Sequence, residues 1–463
     1  MNARLAVRNP RNSELALLVF SVGIAMAAYA AVGLAIDGAL PAGMLGYGGG
    51  LALLFGLAHL ALRRFAPNAD PVLLPAVTLI NGIGLAMIHR LDIAYAERAQ
   101  RLGQAAPAAS APAQLTWTAV GVILFIAVLV LVRDHRILQR FTYTAMLAGL
   151  GLLLLPLFPV IGTTINGARI WIRVAGFSFQ PGELAKLVLL VFFAGYLVVK
   201  RDVLALAGRR VLGVDLPRAR DLGPILVAWG ASLAVLVFER DLGTSLLFFG
   251  MFVAMLYVAT ERRSWLLIGI GLFLSGSFLA WTMFGHVQKR VDIWLHPFAD
   301  RNVADDSYQL VQGLFGMGTG GILGKGLGQG RPDIVPFAKT DFIVAAIGEE
   351  LGLTGLMAIL LIYAIIVERG LRTAIAVRDS FGKLLAAGLA FSVALQVFVV
   401  VGGVTRLIPL TGLTVPFLSY GGSSLVANWM LVALLLRISD AARRPAPPPP
   451  PSLDDAKTQV VRL

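Results

Sequence analysis

The sequence predicts an all-α polytopic membrane protein of about twelve transmembrane helices with both termini cytoplasmic. Three observations carry this. Of 463 residues, 57% are hydrophobic and only 14% charged, with a mean hydropathy of +0.80, against roughly 45–50% and about 25% in soluble domains. The apolar residues gather in runs close to the roughly 20 residues that cross a bilayer core about 30 Å thick. Lys and Arg cluster in alternate connections between those runs. A soluble enzyme is excluded.

Taken in order, the runs are broken by charges or by Pro and Gly. The first, 15–35, follows Arg4, Arg8 and Arg11 and starts like a signal peptide. It outruns the usual 7–15-residue apolar core of such peptides, so a retained anchor is expected. The second, 46–62, stops at Arg63-Arg64, and the third and fourth are 72–89 and 115–132. After the basic link 133–140 come 141–160 and 183–199, and after the basic link 200–220 come 222–238 and 243–259. Glu239-Arg240-Asp241 is so short a break that one re-entrant hairpin is an alternative to those two spans. The remaining runs are 265–284, 341–367, 384–402 and 417–436.

With the N-terminus inside, cytoplasmic segments hold 25 of the 39 Lys and Arg and 12 of the 26 Asp and Glu. All other positions carry 14 of each sign, so the entire formal charge of +13 lies on the cytoplasmic side. A pI near 10.4 is therefore a topology signal, helped by attraction to anionic headgroups, and no nucleic-acid partner is expected. The absence of cysteine excludes disulfide staples, thiolate metal sites and a Cys nucleophile. His59, His89, His135, His286 and His296 lack H-x-x-x-H spacing, so no histidine metal cluster is expected. Residues 1–70 form an N-terminal segment with two additional spans, 71–438 the main membrane domain, and 439–463 a tail whose five prolines at 447–451 predict disorder.

Polar chemistry concentrates in two outer loops, 161–182 and 285–340. The longer contains Trp294, Phe298, Tyr308, Phe315 and Phe337, too aromatic for a disordered segment. Its carboxylates are Asp292, Asp300, Asp305, Asp306 and Asp333, followed by Asp341. A carboxylate near bilayer level acts as a general base when burial lifts its pKa, and as a helix cap otherwise. Capping is the expected role of Asp306 and Asp341; for Asp300 the residues alone leave both open. The run Gly318 to Gly330 fails the Walker pattern at Thr319 and Gly326 and follows no cytoplasmic strand. An anion-binding nest beside Lys325 and a flexible turn are the two readings left.

Charges in spans are costly and functional by default. Glu183 and Lys186, three apart after Gln180-Pro181, either serve a site or neutralise each other. Glu349 and Glu350 are expected to face a polar cavity rather than lipid. Ser419-Tyr420-Gly421-Gly422-Ser423-Ser424 suits a polar lining or close helix packing at the outer start of the last span.

In order, NGARIWI with QPGELAK (166–186), DLGTS (241–245), SYQLVQ (307–312), GKGLGQG (324–330), TDFIVAAIGEELGLTG (340–355) and PLTGLTVPFLSYGGSS (409–424) resemble the SEDS family of RodA, FtsW and SpoVE. The resemblance covers about 160–438. The stretch from Gly402 to Asn428 and the two additional N-terminal spans are most similar to its actinobacterial RodA branch. It implies a peptidoglycan glycosyltransferase that polymerises lipid II at the outer face of the plasma membrane, beside a class B penicillin-binding protein, in elongation. The rivals are a lipid II flippase, a division-type member and a non-catalytic scaffold for the transpeptidase.

The family's essential loop aspartate, in a pattern like NPWED before G-Y-Q, matches His296-Pro297-Phe298-Ala299-Asp300. The chain departs from it by a longer spacer before Tyr308, by Arg301 where proline is common and by Ser307 for glycine. Arg169 and Trp171 match an R-W region here split by Ile170, and Gln180, Glu183 and Lys186 match Q-P-S-E-x-x-K with Gly182 for serine. With Tyr308, Gln309, Gln312, Lys325, Lys339, Asp341, Glu349, Ser419, Tyr420, Ser423 and Ser424, these are the implied substrate-binding residues, and Asp300 is the implied catalytic base. A divalent cation, Mg²⁺ or Mn²⁺, would be held mainly by the substrate's pyrophosphate.

Overall fold

A computed structural model of the chain describes residues 10–445 except 166, 175–176, 205–206, 212–213, 219–221 and 300–304. Arg4 and Arg8, Asp300 with Arg301, and the proline tail lie outside the described residues. Each of the twelve apolar runs coincides with one helix: α1 (Pro10–Ile36), α2 (Met44–Phe65), α3 (Leu73–Arg101), α4 (Ala111–Leu131), α5 (Thr142–Leu154), α6 (Pro181–Leu204), α7 (Gly223–Glu239), α8 (Leu242–Thr260) and α9 (Arg263–Met283). Two helices of the long loop follow, α10 (Gly285–Leu295) and α11 (Tyr308–Gly320), and then α12 (Ile343–Ala376), α13 (Ser380–Val404) and α14 (Gly422–Arg443). Among the described residues eleven segments are long and apolar enough to cross a membrane, α5 counting with the flanking 3₁₀ turns; α7, with 17 residues, is shorter.

The break at 239–241 separates two helices. Arg240 takes a left-handed conformation (φ 57°) that ends α7, and the Asp241 carboxylate accepts the Thr244 N–H at 2.9 Å to start α8. At 1.5 Å per residue α7 is about 25 Å long, too long for one arm of a shallow hairpin.

Two small sheets lie outside the all-helical expectation. Strands β1 (Gly162–Ile165), β2 (Ala168–Val174) and β3 (Phe177–Phe179) form an antiparallel meander with Thr163 opposite Trp171 and Ile172 opposite Phe179. Strands β4 (Ala207–Val211) and β5 (Val214–Pro217) form a hairpin between α6 and α7. In β2 the apolar Ile170, Ile172 and Val174 alternate with Arg169, Trp171 and Arg173, a period-two pattern that a search for spans passes over.

Helices α3, α13 and α14 are the most enclosed, whereas α5 and α9 mostly face outward. The two N-terminal helices pack onto this core. Tyr29 of α1 stacks on Tyr47 of α2 at 4.3 Å, and the Tyr47 hydroxyl donates to Gly82 O of α3 at 2.9 Å. At the opposite end, buried Glu14 is satisfied by Arg11 (2.5 Å) and His59 (2.6 Å), while Asp70 binds Arg443 at the end of α14 and Asp440 binds Arg444 just after it. Buried carboxylates there are thus all paired, as a membrane interior demands.

α12 is broken at Gly352 (φ 65°, ψ −170°), a conformation open essentially to glycine alone. The backbone groups freed by the break are met by the glycine turn of the long loop. Lys325 N and Gly326 N donate to the carbonyls of Glu349 (3.1 Å) and Glu350 (2.9 Å), and Leu353 N and Thr354 N donate to Gly321 O and Ile322 O, both at 3.0 Å. A Cβ on Gly352 would stand 2.2 Å from Gly324 N. Gly352→Ala is therefore expected to destabilise the fold by at least about 2 kcal/mol, read as a drop in the melting temperature of the purified protein. An unchanged melting temperature would contradict the contact.

Candidate functional site

The side chains singled out by the sequence gather at the end of the bundle that carries the long loop, in four groups tied together by backbone. The first lies on α6. Pro181 opens that helix, its missing N–H costing nothing at a first-turn position, and three-residue spacing puts Glu183 and Lys186 on one face. Lys186 is 1% exposed and donates to Glu183 Oε2 at 3.0 Å and to Gln396 Oε1 of α13 at 2.9 Å. Gln396 in turn donates to Thr414 O at 2.9 Å, and Gln180 N donates to the Ser423 hydroxyl at the start of α14 at 2.9 Å. Two of three ammonium donors are engaged, so the pair neutralises itself and is also wired to the loop before α14.

The second group hangs on the outer end of α3. The Asp92 carboxylate accepts the Ser110 and Ala111 amides (2.8 and 2.7 Å) and the Lys339 ammonium (2.5 Å), which lies over the Tyr95 ring. Lys339 O accepts Tyr420 N at 2.7 Å, and Ser419 Oγ donates to Thr340 O at 2.5 Å. This joins the long loop's end to the hydroxyl-rich turn. Tyr420 is half-buried; Ser424 is buried and accepts from Asn428 at 3.2 Å.

The third group is the glycine turn against α12. Glu349 Oε1 accepts the Lys325 ammonium at 3.0 Å and Arg331 N at 2.9 Å, while Glu350 accepts Arg90 Nε of α3 at 2.8 Å and Gly328 N at 3.0 Å. The turn does bind anions with backbone amides, and those anions are the chain's own carboxylates. Glu349 and Glu350 are buried against this turn, and Glu350 also against Arg90 of α3. In the fourth group β2 presents Arg169, whose Nε donates to Pro156 O at 3.1 Å, and half-buried Trp171, whose carbonyl pairs across the sheet with Thr163.

Asp300 falls in 300–304, outside the described residues, but both flanking segments are placed. On the near side, Trp294 Nε1 donates to Arg406 O (3.1 Å) while Arg406 donates back to the carbonyls of Trp294 (2.9 Å) and Leu295 (3.1 Å). On the far side, Asp306 bridges Lys289 of α10 at 2.5 Å, a hydrogen bond that raises the lysine's pKa. Asp306 is thus not the cap of α11. Ser307 holds that position with no side-chain bond, because the Asp306 carboxylate finds its partner across the loop. Asp341 is not a cap either: Phe342 precedes α12, and Asp341 accepts the Thr340 hydroxyl at 2.9 Å and a bond from Gln309. Gln309 also donates to Pro336 O at 3.2 Å, and Tyr308 and Gln312 are half-buried on α11.

Sequence reasoning missed Arg90, Asp92, Gln396 and Arg290. Gln396 carried a signal, as a lone strong polar residue inside an apolar run. Arg290 carried none: it donates to Leu410 O at 2.8 Å, near Asp241 and Asp341, at the rim of an apolar cavity of about 380 Å³ between α7, α8, α9 and α13.

A bundle of membrane-crossing helices with paired intramembrane charges and a braced polar loop at one end defines a multi-pass membrane enzyme. The FtsW/RodA/SpoVE family model, described as a cell cycle protein, matches residues 71–444. The chain is 54% identical over 450 residues to the peptidoglycan glycosyltransferase RodA of Mycobacterium tuberculosis, covering 96% of this chain and 94% of that one. It is 52% identical over 435 residues to its namesake from Mycobacterium leprae, covering 94% and 91%. Among solved structures, an aspartate-to-alanine mutant of the rod shape determining protein RodA of Thermus thermophilus matches with a TM-score of 0.56 at 25% identity, over 81% of this chain and 99% of that one. A chain from a peptidoglycan synthase complex that coordinates polymerization and crosslinking matches with a TM-score of 0.54 at 25% identity, over 86% and 98%. The chain belongs to the FtsW/RodA/SpoVE family and is a peptidoglycan glycosyltransferase.

Proposed function

We propose that this glycosyltransferase polymerises lipid II at the extracytoplasmic face of the plasma membrane, in cell elongation and beside a class B penicillin-binding protein. The observation that carries the reading is the identity of 54% across 96% of the chain to a peptidoglycan glycosyltransferase RodA. The likeness to a complex that couples polymerization with crosslinking supports the transpeptidase partner. Charge supports the side: all the basic excess lies opposite the long loop.

Asp300, as carboxylate, takes the proton of the GlcNAc 4-hydroxyl of one lipid II while that oxygen attacks the MurNAc anomeric carbon of the donor. The new C–O bond forms with inversion from α to β, and the bond to the polyprenyl pyrophosphate breaks. So good a leaving group needs no general acid. Its charge needs cations, and Arg169 and Lys325 stand at this end of the bundle, while Lys186, buried and paired with Glu183, shapes the site. The apolar cavity beside Arg290 suits a prenyl chain. A divalent ion would supply charge neutralisation to the pyrophosphate. Among the described residues no group of three or more His, Asp or Glu is placed to hold one.

A flippase would string its polar groups along a path between both faces, whereas here the motif residues gather at one end. Purified protein given lipid II, with and without the transpeptidase, is expected to yield glycan chains. Movement of lipid II between leaflets without polymer would replace this reading with the transporter.

A further inference from the structure

At the end of the bundle opposite the long loop, a cavity of about 380 Å³ opens between the α4–α5 link, the end of α6 and the start of α13. Arg136, Gln139, Arg378 and Ser380 line its polar side, and Val198 and Phe381 its apolar side. Arg201 of α6 reaches Ser380 Oγ at 3.4 Å. None of these residues takes part in the glycosyl-transfer site.

The charges do not balance. Arg378 has no ion pair or hydrogen-bond partner among the described residues; Arg136, 60% exposed, pairs loosely with Asp379 at 3.6 Å, and its backbone N–H donates to the Asp134 carboxylate at 3.0 Å. Asp379, also in the lining, is already committed: it hydrogen-bonds His135 Nε2 at 2.9 Å and accepts Gly382 N at 2.7 Å as the cap of α13. Burial pushes the Asp379 carboxyl up, yet the His135 and Gly382 bonds with Arg136 nearby hold it at about 2. Asp379 is therefore spent on His135, Gly382 and Arg136, which leaves Arg378 without a counter-charge in the lining.

We propose that this cavity binds the phosphodiester headgroup of an anionic phospholipid from the adjoining leaflet. The guanidinium groups of Arg136 and Arg378 take the phosphate oxygens, with Gln139 and the Ser380 hydroxyl as further donors. Half-buried Val198, backed by buried Phe381, meets the start of an acyl chain, which a free phosphate would leave unused. Basic pockets between helices at the cytoplasmic level are suited to such headgroups.

The test uses the purified full chain, delipidated and re-exposed to phosphatidylglycerol or phosphatidylcholine, with retained lipid counted by native mass spectrometry. Phosphatidylglycerol is expected to be retained in preference. In Arg136→Gln/Arg378→Gln its retention falls about tenfold, while Arg64→Gln, an exposed cation on the same face, changes it little. Arg136→Lys/Arg378→Lys keeps the charge and most of the binding, which separates loss of the site from loss of the fold. Equal retention in the Gln double variant would overturn the site. Displacement of the lipid by inorganic phosphate would overturn the lipid and leave a soluble-anion pocket.

Discussion

Asp300→Asn is expected to lower polymerisation of lipid II by purified protein at least about 10²-fold, the low end of what a positioned general base contributes. The amide keeps the shape of the carboxyl and removes its basicity, so the melting temperature should stay near that of the parent. Asp305→Asn and Asp306→Asn separate the base from its neighbours. Asp306 already neutralises Lys289 at 2.5 Å across the loop, so its loss is expected to loosen the loop and lower the rate only severalfold. The pH profile adds a second check. The proposed base acts as a carboxylate, so acid is expected to lower the rate. Full activity of Asp300→Asn, or a rate that does not fall in acid, would sink the assignment.

The spans were legible because each is a long apolar run, and composition alone suffices to read such runs. The charges among them were legible as exceptions but not as pairs. Glu349 and Glu350 stood out as costly, yet their partners are backbone amides and the Lys325 ammonium of the loop's glycine turn and an arginine, Arg90, some 260 residues earlier in the chain. No local spacing encodes that meeting. The same holds for Lys339, whose partner Asp92 sits just beyond the run read as the third span. The glycine run was informative in a different way from its motif resemblance. Its glycines permit close backbone approach to the break at Gly352, so they report packing against α12. The caps expected at Asp306 and Asp341 failed because a carboxylate before a helix has other partners once the loop folds back, Lys289 in one case and Thr340 with Gln309 in the other.

The largest expected loss of stability comes from parting Arg90 and Glu350. Glu350 is fully buried two residues before the break in α12, and its two oxygens are claimed by Arg90 Nε at 2.8 Å and Gly328 N at 3.0 Å. Arg90 also donates to Gly330 O at 2.9 Å, so one guanidinium ties α3 to both the broken helix and the glycine turn. Removing one member leaves the other charged and buried, which costs about 3–5 kcal/mol. Removing both leaves no orphan charge. Arg90→Met and Glu350→Met are therefore each expected to lower the melting temperature sharply, and the double variant less than the sum of the two. Activity should follow a different order. The double variant regains stability but not the bond from Arg90 to Gly330 O, so its glycine turn is less firmly held and polymerisation stays below that of the parent. Additive losses in the double variant would mean that the two side chains act independently and that the geometry drawn here between α3, α12 and the turn is wrong.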